Sequence, residues 1–185
     1  MIEVLDRPIA HPDALPADLA GDAGWHPIRP LRADDVDRMR RFYGRLSAET
    51  VYRRYFTPGR PGDAELRRLF DGYPGARDVL VALSGDEVVG LAEGARPRGR
   101  PVVVEFGVVV PDAWQRSGIG SRLVRALVDR AAASGAVAMR ADTLAENRRM
   151  ARLICRLWPN ARPQLDGPLH AWCLPVGRTR QAQAA

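Results

Sequence analysis

The stretch that decides the fold lies at residues 102–127 and reads VVVEFGVVVPDAWQRSGIGSRLVRAL. Its first nine residues are the most apolar run in the chain and predict a buried strand. Apolar residues then recur at helical spacing, which predicts a long amphipathic helix over 117–134. Residues 115–120 join the two. A strand that passes through a short turn into a helix is therefore the centre of the predicted fold.

The turn between this strand and helix has the composition of an anion site. The first four backbone amides of a helix have no partner within it and carry the positive end of its dipole, so they favour a phosphate. Gly118 and Gly120 remove side chains that would keep a phosphate from those amides, and Arg116 adds a positive charge. The pattern predicts a pyrophosphate cradle. The alternative is a turn whose glycines only let the helix pack closely on the strand.

Two other phosphate motifs do not fit this turn. A P-loop requires a lysine, and all 28 Lys and Arg residues of the chain are Arg. The dinucleotide-binding fingerprint requires a third glycine three residues after Gly120, where the sequence has Leu123. Neither nucleotide-binding class is therefore predicted.

The order of predicted elements favours one α/β domain. Helices come first, an antiparallel meander follows with a hairpin turn at Gly85-Asp86, and strand, helix, strand, helix and strand complete the chain. This order favours a mixed, mostly antiparallel central sheet with helices on both faces. The predicted divisions are an extended N-terminal arm at 1–27, the domain at 28–176 and a flexible tail at 177–185.

The charge is basic without indicating a nucleic-acid-binding protein. The 28 Arg residues exceed the 22 acidic residues by 6. They are spread along the chain and mixed with Asp and Glu, whereas nucleic-acid-binding proteins concentrate them on one face. We therefore predict no nucleic-acid partner. A polyanionic small ligand stays open, because guanidinium pairs well with phosphate.

Other features bear on location and metals. No apolar run reaches the roughly 18 residues of a transmembrane helix, and the acidic, proline-broken start is unlike a secretory signal. The two cysteines, Cys155 and Cys173, and the three scattered histidines show no metal-ligand spacing. We therefore predict no metal, no membrane association and a cytoplasmic location, where thiols stay reduced.

The turn and its surroundings resemble a known superfamily. Gln115-x-x-Gly118-x-Gly120 resembles motif A of the GNAT superfamily of N-acetyltransferases, Gln/Arg-x-x-Gly-x-Gly/Ala. The stretch IRPLRADDVDRMRRFYGRLSAETVYRRYF resembles its N-terminal strand and helices, and ENRRMARLICRLW resembles its motif B helix. The resemblance covers roughly residues 28–175 and is especially close to the acetyltransferase domains of bacterial protein lysine acetyltransferases. It implies a GNAT-like domain with a splayed gap for the cofactor between two strands.

The resemblance also implies acetyl-CoA as cosubstrate. In this family the amides of the turn bind the pyrophosphate of acetyl-CoA, the pantetheine arm lies beside the central strand like an additional strand, and an Asn of motif B approaches that arm. The cofactor-binding residues that this implies are Val108, Val109, Val110, Gln115, Arg116, Ser117, Gly118, Ile119, Gly120 and Asn147.

Glu105 is the candidate catalytic residue. It is the only charge in its strand, and an ionised carboxylate among valines is unfavourable unless paired, which suits a group that takes up a proton. Related protein acetyltransferases carry a Glu ten residues before the motif Gln, as Glu105 precedes Gln115. The resemblance implies that Glu105, directly or through water, deprotonates a protein lysine or small-molecule amine that attacks acetyl-CoA. The alternatives are an exposed carboxylate at the strand start and one paired with an Arg.

One part of the family pattern is absent. Many members have a Tyr on motif B that protonates the departing CoA thiolate, whereas the corresponding position here is Ile154, beside Cys155. A non-catalytic acyl-CoA-binding regulatory module is therefore the alternative function. Because the first two helices form one wall of the family's acceptor site, Arg53, Arg54 and Tyr55 are candidates for contact with substrate. The expected partners are acetyl-CoA and an amine acceptor, with a homodimer left open.

Overall fold

The computed structural model describes residues 26–70, 77–100 and 102–176. The predicted tail at 177–185 and all of the predicted arm except His26 and Pro27 lie outside the described residues. The described elements, in chain order, are β1 Ile28–Pro30, α1 Val36–Gly44, α2 Ala48–Tyr55, α3 Asp63–Phe70, β2 Arg77–Ser84, β3 Glu87–Ala95, β4 Val103–Val109, α4 Ile119–Ala133, β5 Ala138–Leu144, α5 Arg148–Leu157, β6 Gln164–Asp166 and β7 Leu169–Pro175.

The strands form one sheet in the order β1-β2-β3-β4-β5-β7-β6. Neighbouring strands are antiparallel except β4 and β5, which are parallel. This confirms the mixed, mostly antiparallel sheet. The sequence did not predict β6, because its three residues are all exposed and carry no alternating pattern.

Helices cover both faces of the sheet, as predicted. On one face, α1, α2 and α3 enclose a core that includes Met39, Phe42 and Val109. On the other face, α4 and α5 enclose a second core that includes Leu123 and Ile154. Strand β4 contributes to both cores because alternate residues point to opposite faces of the sheet. None of the described helices is long and apolar enough to cross a membrane.

The gap that the family resemblance implies is visible in the pairing of β4 with β5. Within the described residues, these strands pair only where residues 103–105 meet residues 138–140, and the last pair is Glu105 with Arg140. Strand β4 then runs on to Val109 and β5 to Leu144 without pairing with each other. The sheet therefore opens directly after Glu105.

Local signals account for most element boundaries. Ser47 precedes a run of helical spacing, which predicts a cap; its side chain accepts a hydrogen bond from the Thr50 backbone amide and caps α2. Gly85 has a φ of 57° in the β2–β3 turn, a conformation that favours glycine. The apolar residues at 136–141 predict a strand there, and these bounds are wrong, since β5 is Ala138–Leu144. Its last residues are therefore part of the sheet edge beside the gap.

A buried ion pair fixes the start of α1 against β1. Asp35 is fully buried and accepts hydrogen bonds from the Arg29 guanidinium at 2.6 and 2.8 Å. It also accepts one from the Arg32 backbone amide at 2.9 Å and one from Arg38 at 3.1 Å. These hydrogen bonds, with that from Arg29 the largest cause, lower the pKa of Asp35 to about 2.

Candidate active site

A cleft of about 340 Å³ runs from the start of α4 along the end of β4. Nine of the ten predicted cofactor-binding residues line it: Val108, Val109, Val110, Gln115, Arg116, Gly118, Ile119, Gly120 and Asn147. No Asp or Glu is among the described residues that line the cleft. Six of its lining residues are arginines: Arg53, Arg54, Arg116, Arg149, Arg152 and Arg156. The cleft is therefore suited to a polyanion.

The turn at the start of α4 has the backbone geometry of an anion cradle. Gly118 is the residue before the first helical turn and has a φ of 84°, where L side chains are strained. Arg116 also has a positive φ, of 66°. The first turn of α4 carries no acidic residue, so the positive end of the helix dipole is available to a ligand.

Gln115 has a role that its family motif did not indicate. Its side-chain amide donates to the Val110 carbonyl at 3.0 Å and to the Thr50 hydroxyl at 3.2 Å, and Arg149 donates to its oxygen. Thr50 in turn donates to Asp112. The Gln115 side chain thus ties the turn to the end of β4 and to α2.

Two other turn residues differ from expectation. A Cβ at Gly120 would lie 3.3 Å from Cδ1 of Leu153 on α5, so this glycine permits close packing of the two helices. Ser117 is not among the described lining residues; its hydroxyl donates to the Trp114 carbonyl within the turn. The close-packing alternative therefore applies to Gly120, while Gly118 owes its identity to its φ.

Asn147 lies at the start of α5, beside the gap. Its side-chain oxygen accepts from the Met150 backbone amide at 3.1 Å and caps the helix. On the same helix Ile154 is fully buried, and Cys155 is exposed. No tyrosine is among the described residues that line the cleft, so a phenolic acid is missing from this wall.

A second cavity of about 250 Å³ lies on the α1–α3 face of the sheet, beyond the gap. Glu93 of β3, Glu105 of β4, and Arg140 and Asp142 of β5 line it. It also shares lining residues with the cleft, Arg54 among them. The two cavities therefore adjoin where β4 and β5 separate.

The expectation that Glu105 is buried among valines is wrong. Its side chain is exposed, because it points away from the α4 core into the second cavity. Among the described residues its carboxylate has no hydrogen-bond or ion-pair partner. By contrast, Glu93 is paired with Arg54 at 2.6 Å, and Asp142 lies 3.8 Å from Arg140. Glu105 is therefore an exposed carboxylate that faces the second cavity, and it is not paired with a described Arg.

Arg54 lies across the middle of β4. A Cβ built at Gly107 would be 2.4 Å from Cζ of Arg54, so the guanidinium rests on the bare backbone of that glycine. The same guanidinium is 4.9 Å from the ring centre of Tyr55. Tyr55, a predicted substrate contact, lines neither cavity, and burial raises the pKa of its phenol. Arg53 and Arg54 line both cavities, and their contact with substrate stays a prediction.

Glu93 and Gly107 were not predicted as site residues, and the contact of Arg149 with Gln115 was not predicted either. Glu93 is the one carboxylate in the interior of the apolar strand β3, a signal similar to that of Glu105 in β4. Gly107 and Arg149 gave no local signal, because their roles depend on contacts with Arg54 and Gln115 that are distant in sequence. Within the described ranges, no three His, Cys, Asp or Glu side chains lie close enough together to hold a metal ion.

Comparison with known proteins gives the family. Residues 38–157 match the Acetyltransferase (GNAT) family. The chain belongs to this family. The GNAT domain is also similar to the acetyltransferase Pat of Mycolicibacterium smegmatis, with 31% identity over 135 residues and 72% of this chain. It spans only 40% of the length of that relative.

Solved structures have the same fold as this GNAT domain. The GNAT domain of S. lividans PAT has a TM-score of 0.73 at 23% identity, over 80% of this chain and 89% of that one. A putative acetyltransferase from Salmonella typhimurium, solved with acetyl-CoA, has a TM-score of 0.63 at 22% identity, over 86% of this chain and 99% of that one. The predicted GNAT fold is therefore confirmed.

Proposed function

We propose that this GNAT domain transfers an acetyl group from acetyl-CoA to a primary amine, either a protein lysine or a small molecule. One observation carries the proposal: the arginine-lined cleft at the start of α4 adjoins, through the gap between β4 and β5, a cavity that holds an unpaired carboxylate. A phosphorylated acyl donor fits the first space, and an ammonium acceptor fits the second.

The donor is held mainly by backbone and by positive charge. We assign its pyrophosphate to the amides of the turn at residues 116–120 and its remaining phosphate to the cleft arginines, because both favour anions. The pantetheine arm follows β4 at residues 108–110, where the β5 side of the strand is unpaired. Asn147, which lines both spaces, is the proposed contact for this arm.

Glu105 is the proposed general base. It takes one proton from the acceptor ammonium, directly or through a water, and the free amine then attacks the thioester carbonyl. The new bond joins nitrogen to the carbonyl carbon, and the π electron pair moves onto oxygen, where the backbone amide of Val108 is a proposed donor. That pair then restores the carbonyl as the carbon–sulfur bond breaks.

The leaving thiolate needs a proton that no tyrosine of the cleft supplies. The second nitrogen proton of the tetrahedral adduct reaches the thiolate through solvent, and Glu105 returns its own proton to bulk water. The products are the amide, CoA thiol and one proton. The exposure of Glu105 supports this exchange with solvent.

The test is acetyl transfer by the wild type and by Glu105→Gln, screened against a panel of amines and lysate proteins. The variant keeps the shape of the side chain but accepts no proton, so kcat/KM at pH 7 should fall by about 10²–10⁴. The rate should recover in part at high pH, where the amine is already free. Binding of CoA should stay unchanged, because Glu105 does not line the cleft.

Three outcomes separate the alternatives. Binding of CoA without turnover of any amine favours the non-catalytic acyl-CoA-binding module. Turnover with equal rates for both proteins at every pH removes Glu105 from the mechanism and directs attention to Asp142 or a bound water. A cytoplasmic location and a homodimer stay predictions, which fractionation and light scattering test.

A further inference from the structure

We infer that Arg54 is a further catalytic residue, whose guanidinium donates a hydrogen bond to the carbonyl oxygen of the transferred acyl group and stabilises the negative charge that develops there. The inference rests on the proposed acetyl transfer and adds a side-chain donor to it. It concerns the centre of the reaction, between the base and the donor thioester.

The register of β4 fixes this position. Glu105 and Gly107 point to the same face of the sheet and are about 6.7 Å apart along the strand, since alternate residues share a face. Arg54 lies over Gly107, which is one such step from the proposed base towards the cleft. The β4–β5 pairing ends at Glu105, so the gap opens beside this guanidinium. Arg54 lines both cavities and is 21% exposed.

Gly107 makes room for this arrangement. All three atoms nearest to a Cβ built at Gly107 belong to the Arg54 guanidinium, at 2.4 to 2.7 Å. Any other residue at this position would displace it. The glycine is therefore matched to one side chain, which lies on another element and 53 positions away in sequence.

The hydrogen-bonding capacity of Arg54 is only partly used. Its Nη2 donates to Glu93 at 2.6 Å, while its Nε is buried and has no acceptor among the described residues. A buried donor without a partner is unfavourable, and native structures contain few of them. Glu93 holds the planar group in place, and a substrate oxygen at the junction supplies an acceptor.

The chemistry of the transfer needs such a donor. As the amine bonds to the carbonyl carbon, a full negative charge forms on the carbonyl oxygen. A cation that is already fixed next to it stabilises this charge without reorganisation, and a single lost donor of this kind typically costs about 10²–10³ in rate. Arg54 moves no proton in this step; it donates a hydrogen bond and retains its charge.

The first test is a double-mutant cycle on the transfer rate. Arg54→Gln should lower kcat by about 10²–10³. Gly107→Ala should cause a similar loss in the otherwise wild-type protein, because the added methyl group displaces the guanidinium. In an Arg54→Gln background the same Gly107→Ala change should cost less than about threefold. Equal costs of Gly107→Ala in both backgrounds would overturn the assigned position.

The second test reads binding without chemistry. Two analogues are compared: the ketone in which a methylene replaces the sulfur of acetyl-CoA, and S-ethyl-CoA, which lacks the carbonyl oxygen. A hydrogen bond from a charged donor is worth about 1.5–3 kcal/mol, so the wild type should bind the ketone at least about tenfold more tightly. Arg54→Gln should reduce this ratio towards one. Glu93→Gln removes the charge of the ion pair but keeps a side-chain oxygen that accepts from Arg54, so this variant should retain the ratio.

The outcomes are distinguishable from those for the proposed function. A wild type that acetylates amines, together with an Arg54→Gln variant that keeps both the rate and the ketone preference, overturns the inference alone. A wild type with neither transfer nor ketone preference overturns both. If Arg54→Gln fails to fold, Arg54→Lys replaces it in both measurements, because lysine keeps the charge without the planar guanidinium.

Discussion

Replacing Gly90 with Ala should weaken CoA binding by displacing the first turn of α4. Gly90 lies in β3 beneath the start of α4, and an added Cβ would be 2.7 Å from Cγ2 of Ile119 and 2.8 Å from Cδ1 of Leu123. Ordinary contacts of this kind are about 3.5–4.0 Å. We therefore expect the first turn of α4 to move by roughly 0.7–1.3 Å, and its backbone amides are the proposed phosphate ligands.

The expected losses of stability and of CoA affinity follow from these contacts. Overpacking of a core typically costs about 1–3 kcal/mol, and the loss of glycine freedom in the unfolded chain offsets about 0.4–1 kcal/mol of it. The net destabilisation should be about 1–2 kcal/mol, which lowers Tm by about 2–8 °C for a chain of this size. Loss of roughly one phosphate hydrogen bond should raise the Kd for CoA about tenfold.

Gly94→Ala is the matched control. Gly94 lies in the same strand and under the same helix, but its added Cβ would approach Val104 at 3.0 Å and Leu127 at 3.1 Å, two turns from the start of α4. This change should alter stability by less than about 1 kcal/mol and leave the Kd for CoA unchanged. Thermal unfolding gives the first quantity and calorimetric titration the second.

Two results for Gly90→Ala and Gly94→Ala would contradict this prediction. If Gly90→Ala lowers Tm but binds CoA as the wild type does, the side chains of Ile119 and Leu123 absorb the methyl group and the helix start does not move. If both alanine variants weaken CoA equally, the effect is a general loss of stability, and the amides at the start of α4 are not the phosphate ligands.

Two further predictions concern single residues. Asp35→Asn should reduce the free energy of unfolding by about 2 kcal/mol at pH 7, because the fold lowers the pKa of Asp35 from 3.8 to about 2. In the wild type this contribution is complete above about pH 4 and is lost as the pH falls towards 2. The free energy of unfolding in urea should therefore depend less on pH in the variant than in the wild type over that range. The same pH dependence in both proteins would contradict the prediction. Gly118→Val should weaken CoA more than tenfold in calorimetry, because a branched residue is strained at a φ of 84° and occupies the phosphate site; equal affinities would remove the cradle.

The features that were predictable from sequence are local ones. The strand, turn and helix around Gly118, the β2–β3 hairpin and the Ser47 cap all depend on residues within a few positions of each other. The end of β5 was misjudged because Asp142 and Thr143 carry polar side chains but pair with β7. That pairing partner lies 27 or more residues further along the chain, and no local pattern reports it.

The exposure of Glu105 was not predictable either, because it also depends on residues that are distant in sequence. The apolar run around Glu105 correctly indicated a central strand, but one face of a central strand can still line a cavity. Whether it does depends on where the ladder to β5 ends, and no local sequence pattern reports that end. The single charge in an apolar strand therefore indicated Glu105 as a candidate but did not predict that its side chain is exposed.

The environment of Glu105 changes the reason for proposing it as the base. The expected reason was an unfavourable position among valines, away from water, yet the carboxylate is exposed. What distinguishes it from the other two carboxylates of the cavity is the absence of a described partner, since Arg54 pairs with Glu93 and Arg140 lies beside Asp142. A carboxylate that already contacts a guanidinium has fewer oxygen lone pairs free for an incoming ammonium. Arg54 would thus act twice at this site, by occupying Glu93 and by donating to the acyl oxygen, and it would leave Glu105 as the carboxylate that can accept the proton of an incoming ammonium.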